Sequence, residues 1–302
     1  MRKTVLAMAA PVLVIVALAG CGSSSSTSSS GSSTPASAPA TPTVDTAIAK
    51  EVPAAIKSKG TLTVASEAQY APLEFIAPDG HTVIGMDPDL VTAIAAKMGL
   101  KAKFVNSDFE TIIPGLAAGR YDLGASSFTD TKEREKTVDF VDYFTAGISF
   151  YAKSSANPGV ETVADLCGKK VAAEKGTVEV EEATKQSAKC TKEGKQGVTV
   201  LAFPGQNAVN LAVSSGRADL GMADSPVADY QIKQSNGGFK SVGKEYEAAP
   251  YGLAIPKSSG MTKPIQASLK ALIADGTYTK ILTKWGLQSG ALTTAAINGA
   301  SS

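Results

Sequence analysis

The segment Gly119-Arg120-Tyr121-Asp122-Leu123-Gly124-Ala125-Ser126-Ser127-Phe128-Thr129-Asp130-Thr131-Lys132-Glu133-Arg134 reads as a short buried strand, Tyr121 to Ala125, running into a polar loop. Thr131 reads as the N-cap of a helix with Arg134 in its first turn. Hydroxyls and free backbone N–H groups at a strand end, beside a guanidinium, form a receptor for a small anion such as a carboxylate. A cation near a helix N-terminus opposes the helix dipole, which argues against a purely local stabilising role. A surface pair between Arg134 and Glu133 or Glu135 is the competing reading.

Working outward, the pattern recurs. Val213-Ser214-Ser215-Gly216-Arg217-Ala218-Asp219-Leu220-Gly221-Met222-Ala223-Asp224 repeats Leu116 to Ser127, with Gly, Arg, Asp, Leu and Gly in register. Each copy follows an apolar helical run and ends in a polar loop at a strand end, where ligands bind in open α/β sheets. Two such half-sites predict two lobes facing each other across a cleft. One side offers Ser127, Thr129 and Arg134, the other Asp224. A cation opposite an anion suits a small zwitterion. For Asp224, capping of the helix that begins at Ser225-Pro226 is the alternative.

Strand and helix signals alternate on both sides of these copies. Gly60 to Ser66 reads as a first strand. Leu73–Ile76 and Val83–Ile84 flank the turn Pro78-Asp79-Gly80 as a hairpin. Asp87-Pro88-Asp89 opens a helix, with Asp87 as cap and Gly99 as stop. Gly176-Thr177 precedes another helix, whose first N–H groups would face the cleft. Trp285 reads as a packing residue, and residues 289–302 as a disordered tail.

At the other end, Arg2 and Lys3 precede an apolar run and then Leu18-Ala19-Gly20-Cys21. Residues 1–21 form a secretory signal too short to span a membrane. Leu-Ala-Gly-Cys resembles the bacterial lipobox, which implies a lipid on Cys21 and anchorage to a membrane. Residues 22–58 read as a flexible linker, because their Ser-, Pro- and Ala-rich start cannot repay the entropy of ordering. The net charge of +1, with no basic run, disfavours nucleic acid as a partner. A single histidine, His81, supports neither a metal cluster nor a catalytic triad, and no cofactor is expected. Cys167 and Cys190 remain, an even pair in an exported chain. A disulfide is their simplest state, because no CxxC or further ligands point to redox or metal chemistry.

Further motifs are Tyr70-Ala71-Pro72-Leu73-Glu74-Phe75, Gly85-Met86-Asp87-Pro88-Asp89-Leu90, Thr131-Lys132-Glu133-Arg134, Val138-Asp139-Phe140, Asp224-Ser225-Pro226 and Asp275-Gly276-Thr277-Tyr278. With the repeat and Gly176-Thr177, they make residues 60 to 287 resemble the family 3 extracellular solute-binding proteins. These are the amino-acid-binding components of bacterial ABC importers, here in the lipoprotein form of Gram-positive and especially actinobacterial cells. The resemblance implies a type II periplasmic-binding fold, two α/β lobes joined by two hinge strands. Lobe 1 would comprise 60–145 and 251–288, and lobe 2 would comprise 146–250.

By the family pattern Arg134 takes the ligand carboxylate, helped by Thr129 and the backbone at Thr177. Asp224 takes the ammonium, with Ser127 and Thr129 as acceptors. Tyr70 and Phe109 would sandwich the side chain, while Glu67, Glu179 and Gln206 would line its pocket. The expected protein is a monomeric, lipid-anchored, extracytoplasmic binder that serves a permease and is not an enzyme. The alternative is a dehydratase-like enzyme acting on a small carboxylate in the same cleft. The residues leave the cargo open among polar or cationic amino acids.

Overall fold

The structure is a computed structural model that describes residues 43–301. The signal segment, Cys21 and the linker as far as residue 42 lie outside the described residues. Ordered chain starts earlier than the sequence implies. The Asp45 carboxylate accepts the N–H groups of Ala47 and Ile48 and so caps α1 (Thr46–Glu51). Pro53 leads into α2 (Ala54–Lys59), which Gly60 ends in the left-handed region at φ 67. Ile48 and Val52 are buried in the core and Ile56 packs against it, so residues 45–58 are packed structure rather than linker. Two six-residue helices interrupted at Pro53 are too short for a periodic signal.

The first half of the chain then lays down β1 (Thr61–Ser66), β2 (Gln69–Tyr70), β3 (Glu74–Ile76), β4 (Val83–Ile84), α3 (Met86–Lys97), β5 (Lys101–Asn106), α4 (Phe109–Ala117) and β6 (Leu123–Gly124). β2, β3 and β4 form the expected hairpin as a small antiparallel sheet. Helix α3 begins one residue before Asp87, with Gly85 at its cap position at φ 140, where a Cβ would collide with the Leu73 carbonyl. Asp87 is therefore not the cap. It is fully buried and turns its carboxylate towards Ser127 and Tyr143.

Next come β7 (Val138–Lys153), β8 (Lys170–Glu174), α5 (Val178–Lys192), β9 (Thr199–Phe203), α6 (Gln206–Ser214), β10 (Leu220–Asp224), α7 (Ser225–Gln234), β11 (Phe239–Pro256), α8 (Thr262–Ala274) and α9 (Thr277–Trp285). One eight-stranded sheet runs in the order β5-β1-β6-β11-β7-β10-β8-β9. The long antiparallel pair β7 and β11 lies at its centre, with register irregularities between Val242 and Tyr246, Tyr246 and Ala249, and Tyr251 and Gly252. Parallel strands flank it on either side. The result is two α/β lobes joined by two hinge strands.

The repeated motif has the same job in each lobe. Asp122 donates its N–H to the Thr63 carbonyl at 2.9 Å, and its side chain accepts the Thr63 N–H at 2.7 Å. Asp219 does the same with Lys170, both bonds at 2.8 Å. Each aspartate thus fixes the start of β6 or β10 against its parallel neighbour. Arg120 and Arg217 lie over the rings of Tyr121 and Phe203. The motif sets register, and the groups that reach the gap between the lobes follow it.

Two other expectations change. No α-helix forms after Thr131. Its hydroxyl does accept the Arg134 N–H at 3.2 Å, but only a 3-10 turn, Arg134–Lys136, develops. A single turn cannot offset helix nucleation, and the β-branched and aromatic run from Val138 draws the chain into β7. The final residues are not a loose tail among those described. Ala291 and Ile297 bridge to Phe144 and Val141, and the Asn298 side chain accepts the Phe140 N–H at 2.7 Å. Main-chain pairing holds this Ala- and Thr-rich stretch, which has little hydrophobic signal of its own.

Cys167 and Cys190 form the expected disulfide, tying the turn before β8 to the last part of α5 across a sequence separation of 23. Replacing both by serine should cost about 3 kcal/mol by the chain-entropy model. The expected fall in Tm is about 6–12 °C. An unchanged thermal unfolding curve would show that the bridge adds nothing.

Candidate ligand-binding cleft

The carboxyl ends of the parallel strands meet between the lobes. β1 delivers Glu67, β6 the loop Ser126–Thr129, β8 Glu174 and Thr177, β9 Gln206, and β10 Asp224. The lobes touch across this gap. Arg134 Nη2 donates to the Gly176 carbonyl at 3.0 Å, Lys175 pairs with Glu110 at 2.9 Å, and the Asn207 N–H reaches Gln69 Oε1 at 3.2 Å. A cavity of about 560 Å³ opens at the mouth, lined in part by Thr129, Thr131, Val178, Glu181 and Asp224.

Arg134 is not a surface ion-pair residue. Glu135 and Glu133 pair instead with Lys132 and Lys136. The Arg134 guanidinium donates through Nη1 to the Thr129 carbonyl at 2.8 Å and lies 5.5 and 5.6 Å from the Phe109 and Phe128 rings. Aromatic faces hold a cation without neutralising it. Phe109 stacks on Phe128 at 4.6 Å, and the Tyr70 ring stands parallel to Phe109 at 6.4 Å.

Beneath the loop, Ser127 adopts φ 50, a left-handed conformation that L residues rarely take. A buried network offsets that strain. The Ser127 hydroxyl donates to Glu74 Oε2 at 3.0 Å, its N–H donates to Asp87 Oδ2 at 3.3 Å, and Tyr143 OH donates to the same oxygen at 2.6 Å. The Ser126 hydroxyl accepts the Glu67 N–H at 2.9 Å. The proton of Ser127 is thus committed below, leaving its lone pairs for the cleft.

On the opposite side Thr177 occupies the N-cap position of α5, and its hydroxyl donates to the Glu174 carbonyl at 2.8 Å. Its own N–H turns towards that carbonyl at 3.4 Å, so the free donors are the next N–H groups of α5. Gln206 is fully buried. Its Nε2 donates to Tyr151 OH at 2.9 Å and Asn210 Oδ1 at 3.1 Å, while its Oε1 has no partner. Asp224 occupies the N-cap position of α7 but makes no side-chain capping bond.

Four carboxylates are buried here: Glu67 at 2 %, Glu174 at 1 %, Glu179 at 1 % and Asp224 at 6 % exposure. Neither oxygen of Glu174 has a hydrogen-bond partner, nor has Oε1 of Glu179. Burial pushes Glu67 up to about 7. Burial, with Glu67, Glu179 and Asp224 nearby, pushes Glu174 up to about 10. Burial and Glu179 raise Asp224 strongly, against the opposing effects of Tyr251 and Arg134.

Every residue singled out for the cleft therefore stands at or beside this gap. Sequence reasoning missed Glu174, Phe128 and the buried Tyr251. The available signal for Glu174 was an apolar strand, Val171-Ala172-Ala173, that closes on a charged residue just before Gly176-Thr177.

The sequence pattern of the bacterial extracellular solute-binding proteins, family 3, matches residues 62–288. The chain belongs to this family. Its two lobes and hinge strands are accordingly the type II periplasmic-binding fold. The arginine-binding protein ArgT of Corynebacterium glutamicum is 37 % identical over 248 residues, covering 82 % of this chain and 81 % of that one. The structure of an ancestral arginine-binding protein bound to glutamine superposes with a TM-score of 0.70 at 36 % identity, covering 76 % of this chain and 98 % of that one. The ancestral amino acid-binding protein AncCDT-1, a precursor of cyclohexadienyl dehydratase, superposes with a TM-score of 0.66 at 34 % identity, over 76 % and 97 %.

Proposed function

We propose that this family 3 binding protein captures a cationic amino acid, arginine foremost, by cleft closure and delivers it to the permease of an ABC importer. The observation that carries the cationic reading is Glu174, a buried carboxylate with both oxygens unpartnered. Such a group either keeps its proton or meets a cation with donors. A guanidinium has five donors and no acceptor. Glu179 and Glu67 flank it, and the parallel Tyr70 and Phe109 rings would cover the flat group.

At the other end of the ligand, Arg134 and the first N–H groups of α5 hold the α-carboxylate. Asp224, Thr129 and the lone pairs of Ser127 take the α-ammonium. A ligand gripped from both sides favours the closed state. In this reading 60–145 with 251–288 closes on 146–250, and a monomer is anchored through lipid on Cys21 to the outer face of an actinobacterial cell membrane. The arginine-binding relative from Corynebacterium supports both the cargo and that setting.

The test is a thermal-shift and calorimetric screen against the amino acids. Arginine at a hundred times its Kd should stabilise the protein by about 2.7 kcal/mol, or about 5–11 °C. A response to neutral amino acids but not to arginine or lysine would overturn the cationic reading. A second reading rests on Glu67, a carboxyl near neutrality in a closed cleft and so placed to act as a general acid. An amino acid recovered chemically unchanged after prolonged incubation would exclude it.

A further inference from the structure

The cleft holds more negative charge than its cargo can match. With the α-carboxylate on Arg134 and the α-ammonium on Asp224, one side-chain cation remains to face Glu67, Glu174 and Glu179. Among the described residues, beyond Arg134, the lysines at the cleft are paired elsewhere, Lys175 with Glu110 and Lys185, at the mouth, with Glu182. The other titratable groups around these carboxylates, beyond Arg134 and Asp224, are acidic or phenolic. They are Asp108 ahead of α4, Tyr70 of β2, Glu181 of α5, and Tyr246 and Tyr251 of β11. Three carboxylates buried around one cation cannot all ionise.

We propose that a cationic side chain enters this cleft in exchange for a proton held among Glu67, Glu174 and Glu179, so that pH selects between guanidinium and carboxamide cargo. This deepens the reading of the same site as a cationic amino-acid binder and rests on it. The exchange follows from donor counting. A guanidinium carries only donors, so the oxygens that meet it must give up their proton. A carboxamide presents both an acceptor and donors, so a protonated carboxyl serves it as it stands. The unpartnered oxygens of Glu174 and Glu179, beside the unpartnered Gln206 Oε1, suit either arrangement. Burial raises all three glutamates, so the empty cleft keeps its proton near neutrality.

The sign follows from linkage. Each proton released on binding makes affinity rise about tenfold per pH unit, wherever the free cleft is protonated and the complex is not. Calorimetry with arginine and with glutamine, in buffers of different ionisation enthalpy between about pH 5 and about pH 8, reads this directly. The expected result is about one proton more released per arginine than per glutamine, with arginine affinity rising about tenfold per pH unit more steeply over part of that range. Glutamine should release about one proton fewer than arginine and gain correspondingly less as pH rises, because Asp224, also raised by burial, meets the α-ammonium of both. Glu174→Gln should flatten the arginine profile. The proton count on the unaltered protein decides the matter even where that variant folds poorly. Arginine binding with no more proton release and no steeper pH profile than glutamine would overturn the exchange and leave the binding function standing. No arginine heat at any pH would overturn the binding function, and the exchange with it.

Discussion

Arg134→Ala is expected to weaken binding of the captured amino acid by about a hundredfold or more while leaving the fold intact. The guanidinium is fixed by the Thr129 and Gly176 carbonyls and backed by two aromatic faces, so it meets a carboxylate already oriented. Truncating one member of a buried charged pair costs about 2–5 kcal/mol. The Gly176 bond also joins the two lobes, so the variant loses closure as well as charge. Stability should change little, because the side chain is half-buried and only rests on the outer faces of the Phe109 and Phe128 rings. Arg134→Lys keeps the charge without the planar fork and should fall between wild type and alanine. Calorimetric Kd values beside unfolding curves check the expectation, and an alanine variant that binds within about threefold of the unaltered protein would remove Arg134 from the carboxylate site.

Asp224→Asn separates two roles that the sequence left open. If the residue capped α7, asparagine would cap as well, and alanine would cost about 1 kcal/mol of stability with binding kept. The structure shows no capping bond from this side chain, which faces the cleft instead. Asp224→Asn should therefore lose roughly a hundredfold in affinity for the α-ammonium. The ligand-free protein should become more stable. A buried carboxyl with a raised folded pKa withdraws stability as pH climbs past its unfolded value, so removing the charge at neutral pH restores it. Thermal unfolding of the ligand-free variant at neutral pH reads that sign. A less stable variant with unchanged affinity would return Asp224 to a structural role.

The parts legible from sequence share one property: their cause is local. The apolar alternation of β1, the hairpin around Asp79-Gly80, the Gly-Thr start of α5 and the cysteine pair announce themselves within a few residues. Arg134 and Asp224 were legible because each follows a copy of the same motif. The parts that escaped depend on distant partners. Ser127 keeps its φ only because Glu74 and Asp87 reach under it from other elements. The last described residues are ordered by bridges to β7 rather than by their own pattern. Glu174 gains meaning when β8 sets it opposite Glu67, which no spacing along the chain reveals.

Asp122 and Asp219 clamp their strands at the amino ends, while the proposed ligand groups stand at the carboxyl ends of the same strands. Upkeep of the scaffold and choice of cargo are therefore written in separate letters of the sequence. On the proposed reading, a mutation at Glu67 or Glu174 would change what the cleft welcomes without touching either clamp. A lineage starting from such a chain can drift from one nutrient to another in single steps, each still folded and still able to dock.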